Sequence, residues 1–129
     1  MQAHMNATRV VSLAEKLALF EDTWSPKLVA EVNDMYVKLV KLEGEFLWHD
    51  HDWEDEMFFV VSGRLTIRFR VDGAEWESVA GPGEFIVVPH GIEHMPVCAE
   101  PTQIMLFEPK ATVNTGNAES ERRTEPEWL

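Results

Sequence analysis

The chain has 129 residues, 45% of them hydrophobic, with 23 acidic side chains against 11 basic ones and a formal net charge of −12. That length suits one domain, the apolar content excludes a disordered chain, and an acidic chain with scattered Lys and Arg is a poor partner for nucleic acid. No apolar run approaches the ~20 residues of a membrane span, and a lone cysteine permits no internal disulfide, so a cytoplasmic protein with a buried Cys98 thiol is expected.

His4-Met5 is the dipeptide that a common cloning site encodes, and residues 1–4 are set aside as vector-derived. Ser12-Leu13-Ala14-Glu15 has capping-box spacing, and Leu13, Leu17 and Phe20 make one apolar stripe, which predicts a short helix ending near Phe20. Residues 27–32 read as a strand, Asn33-Asp34 as a turn and 35–43 as a longer strand, with Val37 and Leu39 opposed to Lys38 and Lys41.

The segment from Gly44 to Gly63 carries the chemistry. His49 and His51 are two apart, so on an extended strand both rings leave one face, shared with Leu47, while Trp48 and Asp50 leave the other. An acidic turn follows, and in the run from Glu56 to Val61 a hairpin would return Glu56 towards the histidines, with Phe58 and Val60 on its face. A single His-x-His is weak, and a lone strand histidine is more often hydrogen-bonded or exposed than a ligand.

Leu65, Ile67, Phe69 and Val71 alternate with Thr66, Arg68 and Arg70 as a half-buried strand; Asp72-Gly73 is a two-residue hairpin turn, and 74–79 returns. Residues 85–88 are a continuous apolar run, as for a strand buried on both faces. After the Pro89–Gly91 corner, His94, Pro96 and Cys98 share a period-two face, and 102–108 is the last core strand. There Ile104 and Leu106, or Met105 and Phe107, face inward, both sets being apolar. Short, evenly spaced strands separated by turn residues predict an antiparallel sandwich or barrel. The polar segment 110–129 reads as a loosely held tail whose Trp128-Leu129 could instead pack on a partner subunit.

With His94 added, three imidazoles and a carboxylate suit a first-row metal ion. Gly44, His49, His51, Glu56 and Gly63, followed by Gly83, Pro89, Gly91 and His94, resemble the two motifs of the cupin family. Gly44 stands one residue closer to the first histidine than the usual pattern, and Cys98 stands where the family often has asparagine. The resemblance implies an all-β, single-domain antiparallel β-barrel, a double-stranded β-helix or jelly roll. The short helix would lie in an N-terminal segment of residues 1–26, with the barrel over 27–109 and the tail over 110–129. It also implies His49, His51, Glu56 and His94 as ligands of a divalent ion (Fe, Mn, Ni or Zn), and a homodimer, as is common among small cupins.

The family's activities are too diverse for fold to select one. A metal-dependent enzyme, an oxygenase or an isomerase or lyase, is one expectation; a non-catalytic metal-dependent binding or sensing module is the other. Either takes a small organic ligand. An isomerase or lyase needs an acid or base near the substrate, for which His90 and Glu93 are the candidates, although His90 in its corner reads first as a surface residue. The acidic cluster Asp50, Asp52, Glu54 and Asp55 reads as a solvated loop, and Trp48 as core or subunit interface. No phosphate-cradling loop, dinucleotide fingerprint or nucleophile triad is present.

Overall fold

The alternation of apolar and polar residues is realised as strands wrapped around one interior; the computed structural model describes residues 1–129, the side chain of Ala7 excepted. The elements are α1 (Gln2–Ala7), α2 (Leu13–Leu17), β1 (Lys27–Val32), β2 (Met35–Glu45), β3 (Glu56–Ser62), β4 (Leu65–Val71), β5 (Ala74–Ala80), β6 (Phe85–Val88), β7 (Glu93–Pro109) and β8 (Glu127–Trp128).

The organising strand is β7. It pairs with β2 along nearly its whole length, from Met35↔Pro109 to Glu45↔Val97. Its first part also pairs with β4, from Thr66↔Val97 to Arg70↔Glu93, and its second part with β3, from Val60↔Ile104 to Met57↔Phe107. One strand thus serves two halves of the sheet, and the inward residues of both meet in a single core. Val40 and Leu42 of β2, Phe58 and Val60 of β3, Leu65 and Ile67 of β4, Val88 of β6 and Ile104 and Leu106 of β7 belong to it. The β4–β5 turn has positive φ at both Asp72 (48°) and Gly73 (81°), the geometry of a hairpin turn matched to strand twist, which Asp-Gly accommodates with little strain.

Several expectations are corrected. Besides the expected helix there is a second one, α1, at Gln2–Ala7. Helix α2 stops at Leu17, its Ser12 cap accepting the Glu15 amide at 3.2 Å, although Phe20 remains part of the apolar contact. The two strands foreseen over 94–98 and 102–108 are one. Strand β6 is not buried on both faces: Phe85 is 60% and Val87 51% exposed, because β6 pairs with β3 and, among the described residues, nothing covers these side chains. The open choice on the last strand falls to Ile104 and Leu106, while Met105 packs outside, under α2.

Both faces of β2 are buried. Leu17 and Phe20 cover Leu39 on the outside, so the opposite face, including Lys38, turns inward. Lys38 therefore does not sit at the surface as its charge suggested. It donates to Glu108 Oε1 at 2.7 Å, both side chains being almost fully buried. Segment 110–129 is no loose tail either: Thr112 and Thr115 are buried, β8 pairs in parallel with β1, and Lys16 Nζ reaches the Leu129 carbonyl.

Ile104 is fully buried where the two halves of the sheet meet. Its truncation to Ala leaves a cavity that rigid strands cannot close, so Ile104→Ala is expected to lower unfolding free energy by about 3 kcal/mol. Urea denaturation with an unchanged slope and a lower midpoint is the corresponding measurement.

Candidate metal centre

The loop between β2 and β3 is not a regular strand, yet it is pinned to one. The His49 amide donates to the His94 carbonyl at 3.0 Å and the His94 amide returns a bond to the His49 carbonyl at 2.9 Å. This reciprocal pair sets the first and third histidines side by side, with ring centroids 4.2 Å apart. Two residues on, the His51 carbonyl accepts the Gly91 amide at 2.7 Å, tying the loop to the corner before β7. Glu56 opens β3 opposite Val88 and enters the same space.

Ring orientation is set locally. Nδ1 of His49 lies 3.0 Å from the Leu47 carbonyl, and Nδ1 of His94 lies 2.9 Å from that of Ile92. A carbonyl only accepts, so both Nδ1 atoms carry the proton and both Nε2 atoms are left as lone-pair donors, the arrangement that orients a metal-binding imidazole. One ligand atom from each of His49, His51, Glu56 and His94 lies within 4.8 Å of every other, and all four residues are buried.

A metal ion fits this cluster on its own terms. The Nε2 atoms of His51 and His94 and Oε1 of Glu56 are buried without a properly formed hydrogen bond, even though His51 Nε2 and Glu56 Oε1 approach to 2.7 Å. Three converging buried atoms without partners are costly unless something binds them, and a divalent ion satisfies N and O donors together.

The electrostatics agree. Burial, reinforced by the neighbouring His94, pushes His49 down to about 4, so its ring is neutral near pH 7. Burial would also lower His51, but the short contact with Glu56 and its charge prevail and raise it. Burial alone would raise Glu56; contacts with Glu108, His51 and His94 outweigh it and hold the carboxyl well below its usual range. Glu108 goes the other way, raised by burial and by the Glu56 charge against the pull of Lys38. Negative charge is thus concentrated on Glu56, the carboxylate that belongs to the cluster.

Beside the cluster lies a small cavity of about 40 Å³, partly open to solvent. Trp24, Pro26, Phe46, Phe58 and Leu106 make most of its wall, with His49, Glu56, Glu108 and Asn114 as polar contributors. Trp24 and Phe46 stack with centroids 4.9 Å apart. Phe46 lines the cavity in place of the expected Leu47, because the chain from Phe46 to Trp48 leaves strand geometry and breaks the parity. Glu108 and Lys38 were not foreseen; the available signal was a charged residue at the inward parity of Ile104–Leu106 and of Val40–Leu42.

Other singled-out residues lie elsewhere. His90 is exposed, with Nδ1 2.7 Å from Asp55 Oδ1, and Glu93 accepts from Arg70 at 2.6 Å and 3.1 Å. Trp48 lies under the Arg70 guanidinium at 4.2 Å, away from the cavity wall. Burial pushes the Cys98 thiol up to about 11, so it is inert rather than nucleophilic.

Comparison with known proteins gives a match of residues 35–108 to the family model described as cupin domain. A cupin-2 domain containing protein from Shewanella frigidimarina is 44% identical, with 78% of this chain and 95% of that chain covered and a TM-score of 0.73. The YdbB protein of Bacillus subtilis is 35% identical over 66 residues, 51% of this chain, and the match spans only 56% of that protein. A hydroquinone 1,2-dioxygenase from Sphingomonas, 18% identical with a TM-score of 0.69 over 77% of this chain and 31% of its own, shares the fold alone.

A proton held on His51 competes with a metal ion, and the contact with Glu56 makes His51 hold that proton above the usual histidine range. Metal affinity is therefore expected to rise with pH, about tenfold per unit for each proton displaced, through the range where His51 titrates. Zn(II) titrations at pH 6 and pH 8, with proton release measured in weak buffer, read this directly. His51→Ala should abolish the proton release together with the metal-induced rise in melting temperature.

Proposed function

Because this chain belongs to the cupin family, we propose that it holds a divalent first-row ion on His49, His51, Glu56 and His94 and acts as an enzyme on a small organic molecule in the adjoining cavity. The observation that carries the reading is the convergence of four buried donor groups beside an apolar, partly open cavity. Four protein donors leave a six-coordinate ion two exchangeable positions, whereas a purely structural site is closed by protein ligands. With Fe the ion would supply oxygen activation, and with Mn, Ni or Zn it would polarise a carbonyl or hydroxyl. The chain's own part is to keep His49 neutral, to hold Glu56 charged, and to surround the ligand with Trp24, Phe46 and Phe58, which exclude water.

Among the reactions open to such a site, an oxygenase needs no acid or base, whereas an isomerase or lyase would have to draw on Glu108, the carboxyl that lines the cavity beside Glu56. The proton-transfer candidates His90 and Glu93 are engaged by Asp55 and Arg70 and do not line the cavity. The same observation supports the second reading, a non-catalytic module that binds or senses a small ligand through its metal, since such a protein needs no acid or base at all. The lone buried thiol suits a reducing cytoplasm for either.

The decisive measurement is oxygen uptake by Fe(II)-loaded protein against a panel of small diols, diketones and hydroxy acids. The oxygenase predicts uptake that requires both Fe(II) and substrate and falls at least about a hundredfold in His94→Ala. Conversion without oxygen moves the assignment to isomerase or lyase. A compound that perturbs the Co(II) spectrum but is never consumed moves it to the sensing module.

A homodimer belongs to the same proposal. On the outer face of β6 and β3, Phe59 stands opposite Phe85 and Met57 opposite Val87, and the row continues onto β7 through Phe107. Phe85 and Val87 are more than half exposed, and such a contiguous apolar face is what a two-fold interface would cover. Light scattering at micromolar concentration should return twice the chain mass, and Phe85→Glu should return the chain mass with the same circular dichroism; a monomeric parent rules the dimer out.

A further inference from the structure

The family match ends at residue 108, yet the segment beyond it touches the metal-ligand loop more closely than any other part of the fold outside β7 and the corner before it. A loop that leaves regular strand geometry has backbone carbonyls that need donors. Leu47 gives its carbonyl to the His49 ring, and His49 and His51 bond to β7 and its corner. Three other carbonyls of this stretch are taken by the C-terminal segment. Asp50 accepts the Asn117 amide at 2.9 Å, and Glu45 and Phe46 accept Arg122 Nη1 at 3.1 Å and 2.9 Å.

Side chains complete the attachment. Asn117 Nδ2 donates to Asp50 Oδ1 at 3.0 Å and Asp52 Oδ1 at 2.8 Å, the two residues that flank His51. Gly116, at φ +56°, passes so close that a Cβ would run into the Asp50 carbonyl and come within 3.2 Å of the His49 ring. The Arg122 guanidinium lies 4.6 Å from the Phe46 ring and 5.3 Å from that of Trp24, behind the aromatic pair that walls the cavity. The segment is braced in turn: Asn114 donates to the Arg122 carbonyl at 3.0 Å and accepts the Thr124 amide at 2.9 Å.

We propose that residues 113–122 are a strap that positions the His49–Asp50–His51 loop for metal binding and backs the aromatic wall of the cavity, with Gly116, Asn117 and Arg122 as positioning residues. It rests on the reading of the four-residue cluster as a metal site. The strap acts through backbone and carboxylate bonds one layer outside the ligands, where small displacements are felt because a coordination sphere tolerates only a fraction of an ångström.

The experiment titrates the purified full chain with Co(II) and follows its visible absorption, whose energy and intensity report coordination geometry rather than stability. The variants are Asn117→Ala, which truncates an exposed side chain, and Arg122→Ala. Lys110→Ala is the control, since Lys110 is bound to Glu31 in the same segment but away from the cluster. Asn117→Ala and Arg122→Ala should bind Co(II) about ten- to a hundredfold more weakly, with a shifted spectrum, while Lys110→Ala matches the parent. Parental affinity and spectrum in both variants, or an equal loss in Lys110→Ala, would overturn the strap's role. A parent that binds no Co(II) would instead overturn the metal reading, and the strap with it.

Discussion

Two backbone hydrogen bonds between His49 and His94 are the constraint on which the rest of the site depends. They join a loop with little regular structure to the longest strand of the barrel. The geometry of the centre is therefore inherited from β7, which is held by β2, β3 and β4. With that pair in place, the Nδ1 bonds to Leu47 and Ile92 turn both rings, and Glu56 needs only to start β3 opposite Val88 to arrive among them.

The interior also carries an electrostatic cost that the barrel must offset. Lys38, Glu56 and Glu108 are all nearly inaccessible to water, and isolated charges there would be strongly unfavourable. The Lys38–Glu108 contact answers part of this, and a divalent cation held as proposed would answer the charge on Glu56. A carboxylate and three imidazoles converge there with few partners among themselves, which is the physical ground for the proposed metal site.

Much of this was legible in the sequence because it depends on local parity. The alternation over Leu65, Ile67 and Phe69 and the Asp72-Gly73 turn follow from a period of two and from turn chemistry, whereas the set His49, His51, Glu56 and His94 is implied by the resemblance to the cupin motifs. What escaped depends on what lies across a strand rather than along it. The opposition of Val37 and Leu39 to Lys38 does not say which side is inside; α2 covers the Leu39 face and leaves Lys38 to the interior. Phe85 and Val87 look like core residues by composition, and only the missing neighbour of β6 exposes them. The C-terminal segment was the largest surprise. Its polar side chains are spent on carbonyls and carboxylates of a distant loop, and composition alone does not distinguish such residues from solvated ones.

The placement of β7 also governs how this chain must be made. Its partner β2 lies some seventy residues earlier at the far end of the ladder, where Met35 meets Pro109. Pairing over such a separation is entropically slow to nucleate. A ribosome releases the chain from its N-terminus, so β1–β2, β3–β6 and β4–β5 emerge as separate pairs that only β7 joins, and their inward faces stay uncovered until it arrives. His94 arrives only with β7, and the residues that tie down the His49 loop come later still. On the proposed metal reading, the fourth ligand becomes available only once β7 is made, so the complete four-residue site would form late in biogenesis.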